Sequence, residues 1–161
     1  MAGINEALVR YPFLDSTRLA AAGASYGGYM ANWLATHTNR FKTIISHAGV
    51  FDLAAAYNMD LPRFLEFEMN GLPWSSESFR KWSPATYAQM LGSYKTPMLI
   101  TAGEKDFRVP YMQSVELFAS LQRQAVPSKL VVFPDEGHWI LKPRDARLWY
   151  TTFLDWLARY L

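Results

Sequence analysis

The chain contains no cysteine, which excludes disulfides and any mechanism built on a thiolate. It has only three histidines, His37, His47 and His138, so a histidine-dependent reaction has few candidates. An excess of charge is missing too. The 16 basic and 14 acidic residues leave a formal +2, which gives no case for a nucleic-acid or membrane partner. No apolar run reaches the length of a membrane span, and the first residues lack the basic-then-apolar pattern of a secretory signal. Repeats, low-complexity tracts and linkers are absent as well. What is plentiful is apolar: half of the 161 residues are hydrophobic and 16% are aromatic, enough to bury the core of one domain.

The apolar residues alternate between two periods. Ile4, Ala7, Leu8 and Tyr11 fall at helical spacing, and Pro12 ends that helix. Asp15, Ser16 and Thr17 turn the chain into a short apolar strand over residues 19–24. Met30, Ala31, Leu34 and Ala35 form the stripe of a helix, and residues 41–48 read as a second buried strand. Strand, helix, strand at this spacing is a βαβ unit with parallel pairing. Residues 50–97 are irregular and rich in aromatics, and read as short helices covering the end of the sheet. A third strand spans 98–103, followed by a helix with Ser114, Leu117, Phe118, Leu121 and Ala125 on one face. A fourth strand spans 129–133. The last helix starts near Pro143 and is expected to bury Trp149, Phe153, Trp156, Leu157 and Tyr160. The fold class is α/β, one mostly parallel sheet flanked by helices.

Gly23-Ala24-Ser25-Tyr26-Gly27 fits the G-x-S-x-G nucleophile elbow, in which a serine sits on a strained strand-to-helix turn. Glycines two residues on either side of Ser25 would let helix and strand approach closely. The backbone N–H of Tyr26 falls at the start of the following helix, where it suits a developing oxyanion. Asp106 follows the third strand and His138 the fourth, so all three residues belong at the C-terminal ends of parallel strands. The order Ser, Asp, His is that of the α/β-hydrolases. A serine hydroxyl needs a base within hydrogen-bond reach, which His138 supplies, and Asp106 would hold the imidazole in the right tautomer. Glu104 and Asp135 are alternative acids. His47 reads as a satisfied core or edge histidine, His37 as a helix-end surface residue, and Asp15 and Asp52 as turn residues. Val50 and Phe51 follow the end of a strand, where open parallel sheets bind ligands, and are candidates for a substrate pocket.

Five segments in register carry a resemblance: residues 23–33 around Ser25, Lys81-Trp82-Ser83-Pro84, Thr96-Pro97-Met98-Leu99-Ile100, Asp106-Phe107-Arg108-Val109-Pro110, and Pro134-Asp135-Glu136-Gly137-His138-Trp139. Together they resemble the catalytic domain of the prolyl oligopeptidase family, in its acylaminoacyl-peptidase and dipeptidyl-peptidase-like branch. The resemblance implies an α/β-hydrolase fold and a serine peptidase acting on short peptides or acyl-peptides through an acyl-enzyme. It makes Ser25, Asp106 and His138 the triad, Tyr26 an oxyanion donor, and Tyr29, Val50 and Phe51 the pocket. It implies no cofactor and no metal. A carboxylesterase or thioesterase of the same fold, or a fragment that only associates, are the rival readings.

Members of that family carry a β-propeller and several further strands ahead of the region matched here. The chain is therefore expected to be the C-terminal part of a catalytic domain, without the loop that gives the second oxyanion donor. Such a chain would hydrolyse activated esters at most, because amide cleavage needs a well-held oxyanion. The elbow strand would then be an uncharged sheet edge. A homodimer, or complementation by the N-terminal part, is expected to cover it.

Overall fold

The computed structural model describes residues 1–161. Helix α1 (Ala2–Arg10) leads to a turn in which the Asp15 Oδ1 accepts the Thr17 N–H at 2.8 Å. The chain then enters β1 (Ala20–Ala24), α2 (Tyr26–His37) and β2 (Thr43–His47). Two 3₁₀ turns (Ala55–Asn58 and Pro84–Tyr87) and three short helices follow: α3 (Pro62–Glu68), α4 (Ser78–Lys81) and α5 (Gln89–Tyr94). The order closes with β3 (Met98–Gly103), α6 (Met112–Arg123), β4 (Ser128–Phe133) and α7 (Pro143–Tyr160). The four strands lie side by side in the order β1-β2-β3-β4, all parallel. Ala24 pairs with His47, His47 with Thr101, and Gly103 with Phe133, so the C-terminal ends share one edge. Every loop that leaves that edge carries a candidate residue.

Successive strand residues point to opposite faces, and the two faces bury different helices. Ile44, Met98 and Ile100 join Ala31, Ala35, Leu117 and Leu121 in the main cluster, under α2, α5 and α6. Their neighbours Ile45 and Leu99 face the other way and meet Trp156 of α7. Thr43 lies on that same face, where its Oγ1 accepts the Trp156 indole N–H at 2.7 Å. Leu53, Ala56, Leu65 and Phe79 make a separate cluster in the aromatic-rich middle segment.

Two expectations are corrected here. Ala125 does not continue α6. It lies past the helix end at φ 53, exposed, and Val126 turns inward in its place. The left-handed residue closes the helix and drops the next side chain into the core. Of the five α7 residues expected inside, Trp156 is buried and the others are half-buried. The helix packs on β2 and β3, so its flanks stay in contact with solvent.

The close approach of α2 to the sheet depends on glycines at 23 and 28 rather than at 27. A Cβ on Gly23 would overlap the Gly27 carbonyl. One on Gly28 would lie 2.6 Å from the His47 carbonyl oxygen and 2.7 Å from the Gly49 Cα. A Cβ on Gly27 would meet nothing within 4 Å. Overpacking a backbone contact costs about 1–3 kcal/mol, whereas alanine for glycine in a helix gains about 0.5–1 kcal/mol. Gly28→Ala should therefore lower the urea midpoint, and Gly27→Ala should leave it unchanged or raise it. Equal losses in the two variants would contradict this packing.

Candidate active site

Ser25 sits between β1 and α2 at φ 58 and ψ −119, a conformation that side chains rarely adopt. Its N–H donates to the His47 carbonyl at 3.0 Å, and its own carbonyl accepts the first helical N–H, from Tyr29, at 2.9 Å. The turn is thus tied on one side to β2 and on the other to α2. The Tyr26 N–H follows directly, in the first turn of α2, where backbone N–H groups lack intrahelical partners.

Asp106 lies in the loop after β3 and is only 3% exposed. Its Oδ1 accepts the backbone N–H groups of Arg108 and Val109 at 2.9 and 2.8 Å. Its Oδ2 faces the Nδ1 of His138 at 2.8 Å. On the other side of the ring, the His138 Nε2 lies 2.9 Å from the Ser25 Oγ. A carboxylate only accepts, so Nδ1 carries the proton and Nε2 keeps a lone pair aimed at the serine hydroxyl. The arrangement can draw a proton from Ser25 and return it to a group bound at the same place.

Two loops must touch for this row to form. A Cβ on Gly103 would overlap the carbonyls of Glu136 and Gly137, so glycine is needed for the His138 loop to lie against β3. The Lys105 N–H donates to the Glu136 carbonyl at 2.9 Å and ties the loops together. The Glu136 carboxylate accepts the N–H groups of Leu141 and Lys142 at 3.1 and 2.8 Å. The bond from Leu141 is the main reason its carboxyl stays below the usual range. His47, at the end of β2, is buried against the same loop, and burial holds its imidazole below the ordinary histidine value.

A cavity of about 580 Å³ opens beside Ser25, and 11 of its 14 lining residues are hydrophobic. Tyr29 and Val50 line it, together with Tyr26, Trp82 and Val109. The Tyr29 hydroxyl donates to the Trp82 carbonyl at 2.9 Å, and burial pushes its pKa up to about 12. Phe51 is a correction. It is 1% exposed, sits in the main core cluster, and does not line the cavity. Its backbone N–H and that of Asp52 both donate to the Gln113 Oε1 at 2.8 Å, which turns the ring inward. The wall it was expected to supply comes instead from Met59, Leu61, Phe64, Leu65 and Met69, on α3 and its flanks. A signal was present in the sequence: Leu61, Leu65 and Met69 recur every four residues, beside the aromatic Phe64.

The alternatives fall elsewhere. Glu104 is exposed, and Asp135 pairs with Lys105 at 2.7 Å. His37 is exposed and stacks on Trp33 at 3.7 Å, and the Asp52 Oδ1 accepts the N–H groups of Ala54 and Ala55 in its turn. No three His, Asp or Glu side chains gather as metal ligands would. A second cavity, about 560 Å³ and lined in part by Asp52, Trp74, Arg80 and Glu116, contains none of the three residues of the row.

Comparison with known proteins places the chain in one family. The model of the prolyl oligopeptidase family matches residues 1–161. Dipeptidyl-peptidase 5 of Aspergillus fumigatus is 36% identical over 151 residues, covering 92% of this chain and 21% of that protein. Dipeptidyl-peptidase 5 of Porphyromonas gingivalis is 38% identical over 157 residues, covering 93% of this chain and 22% of its own length. The chain thus spans about a fifth of the curated relatives it matches. Among solved structures, the acylaminoacyl peptidase of Pyrococcus horikoshii superposes with a TM-score of 0.92 at 31% identity, over 99% of this chain and 27% of that one. An acylaminoacyl peptidase in complex with Z-Gly-Gly-Phe-chloromethyl ketone gives 0.91 at 31% identity, over 99% and 26%. With an α/β-hydrolase sheet and a whole-length match, the chain belongs to the prolyl oligopeptidase family of serine peptidases.

Proposed function

We propose that Ser25, His138 and Asp106 are the catalytic triad of a peptidase that cleaves short peptides or acyl-peptides through an acyl-enzyme. The observation that carries this reading is the continuous row from the Asp106 Oδ2 through His138 to the Ser25 Oγ, with contacts of 2.8 and 2.9 Å. Ser25 Oγ attacks the scissile carbonyl while its proton passes to His138 Nε2. The carbonyl oxygen becomes an oxyanion facing the Tyr26 N–H. His138 then gives the proton to the leaving amine, the C–N bond breaks, and the acyl group stays on Ser25. Water repeats the sequence, with its proton going to His138 and then to the serine oxygen. The Asp106 carboxylate accepts the hydrogen bond from the Nδ1 of His138 and steadies the imidazolium between the two transfers.

The cavity beside Ser25 supports an apolar side chain on the acyl side of the cleaved bond, because it offers aliphatic, aromatic and thioether surface. The phenylalanyl chloromethyl ketone bound by a related acylaminoacyl peptidase is consistent with that choice. We also propose that a second copy of the chain covers β1. That strand pairs on one side only, carries no charge or proline, and follows a turn with Phe13 and Leu14 exposed.

A fluorophosphonate probe should label the chain at Ser25, and Ser25→Ala should abolish labelling without changing the unfolding transition. Label mapped to another residue would overturn the assignment. Asp106→Asn can still accept the two backbone N–H groups but favours the wrong imidazole tautomer, so the labelling rate should fall by about 10³–10⁴. A labelling rate equal to the parent's would contradict Asp106's role. Phosphonates with a phenylalanine-like group on the acyl side should react at least about tenfold faster than those with an aspartate-like group. The reverse preference would rule out the apolar cavity as the acyl-side pocket. Light scattering after size exclusion should give twice 18.4 kDa at micromolar concentration. A stable 18.4 kDa species would count against the second copy.

A further inference from the structure

Behind the Asp106–His138–Ser25 row, on the face of the sheet covered by α7, lies a second chain of polar groups. Trp149 Nε1 is 3.0 Å from Thr101 Oγ1, which is 2.8 Å from His47 Nδ1. On the far side of that ring, His47 Nε2 lies 3.1 Å from the main-chain carbonyl of His138. Hydrogen-bonding capacity fixes the direction throughout. An indole N–H only donates, so Thr101 Oγ1 accepts from it and keeps its own hydroxyl hydrogen for His47 Nδ1. A carbonyl only accepts, so the His47 Nε2 carries the imidazole hydrogen. One neutral tautomer satisfies every group, and the chain reads Trp149 to Thr101 to His47 to His138. The residues come from α7, β3 and β2, and His47 and Thr101 are paired neighbours across the sheet. Both are essentially buried, and Trp139, next to His138, stacks on His47 at 6.3 Å between ring centres.

We propose that His47 is a positioning residue for His138. It donates to the carbonyl of the catalytic histidine itself, and so fixes where that residue's backbone lies and how its ring is aimed between Asp106 and Ser25. This rests on reading those three residues as the triad. The His138 loop is otherwise held by the Lys105 N–H, by the Lys105 and Lys142 ammonium groups on Asp135 and by the Glu136 carboxylate, all of which act at positions other than 138. Only His47 reaches residue 138 through its main chain from the sheet. Without that donor the His138 carbonyl loses its partner in a part-buried place and the loop turns to find another. A displacement near 1 Å at a catalytic group costs on the order of 10² in rate. Burial also keeps His47 uncharged, so it adds no second positive charge beside the imidazolium that His138 becomes.

The test uses the intact chain with His47→Leu, His47→Gln and Thr101→Val. Glutamine keeps an N–H at the reach of Nε2 and leucine does not. Two readouts are taken: the rate of fluorophosphonate labelling, and the imidazole nitrogen and proton resonances of His138. His47→Leu should label on the order of 10–100-fold more slowly and shift the His138 resonances. His47→Gln should recover most of the rate, and Thr101→Val should shift the His138 resonances in the same direction as leucine. A folded leucine variant with the parent's rate and an unchanged His138 spectrum overturns the inference. So does a folded glutamine variant as slow as leucine, which would make shape rather than the donated hydrogen the cause. If leucine at 47 does not fold, glutamine and Thr101→Val decide by the same criteria. If the parent itself is not labelled at Ser25, the triad reading fails, and the His138 spectra of the variants still judge the link from His47.

Discussion

The backbone of Ser25 occupies a conformation costing about 1–3 kcal/mol, and neighbouring contacts must hold it there. The strain serves a geometric purpose. A relaxed strand-to-helix connection would lay the side chain along the sheet, whereas this turn lifts the Oγ clear of it. Gly23 and Gly28 remove the side chains that would push α2 off β1 and β2. The hydrogen bonds of the Ser25 N–H to β2 and of its carbonyl to α2 then clamp the turn from both sides. The clamp is rigid because its partners are: every residue of β2 is buried, and the β2 ladder is shared with both neighbouring strands.

The same economy of partners governs the other two loops. The buried Asp106 has all its near neighbours as donors: two backbone N–H groups on one oxygen and an imidazole on the other. A buried carboxylate without them would be costly, so folding the loop and aiming the carboxylate are one event. Glu136 does the same for the loop that carries His138. In both loops side chain-to-backbone bonds act beside apolar contacts such as those of Val109 and Trp139, which suits segments at the rim of a sheet. Packing enters one layer below, where Ile44, Ile45, Leu99 and Ile100 fix the strands from which the loops spring.

Much of this was legible in the sequence, because it follows from local patterns. Four strands, the order of Ser25, Asp106 and His138, and the elbow all depend on periodicity and on short motifs that physics ties to one geometry. Other parts were not legible, for reasons that are themselves physical. Phe51 turns inward because Gln113, 62 residues away, takes its backbone N–H. Nothing near residue 51 encodes that. The apolar wall around α3 is signalled only by the spacing of Leu61, Leu65 and Met69, which is easily read as ordinary core in a segment already crowded with aromatics. Gly103 looked like the end of a strand, and its real reason is the carbonyls of Glu136 and Gly137, more than thirty residues downstream. His47 looked like a satisfied histidine, and it is one. What the sequence did not disclose is that its partner is the backbone of His138.

The Ser25 Oγ and the His138 Nε2 lie 2.9 Å apart next to an apolar cavity. An N-acyl phenylalanyl chloromethyl ketone tests both features in one reaction, since it needs the cavity for its ring, the serine for its ketone and a neighbouring imidazole for its chloromethyl carbon. After incubation with the intact chain and digestion, alkylation is expected on His138, with chloride lost, and on neither His37 nor His47. Ser25→Ala should slow that alkylation sharply. Alkylation of His37 or His47, or of His138 at the same rate in the alanine variant, would contradict the pairing of Ser25 with His138.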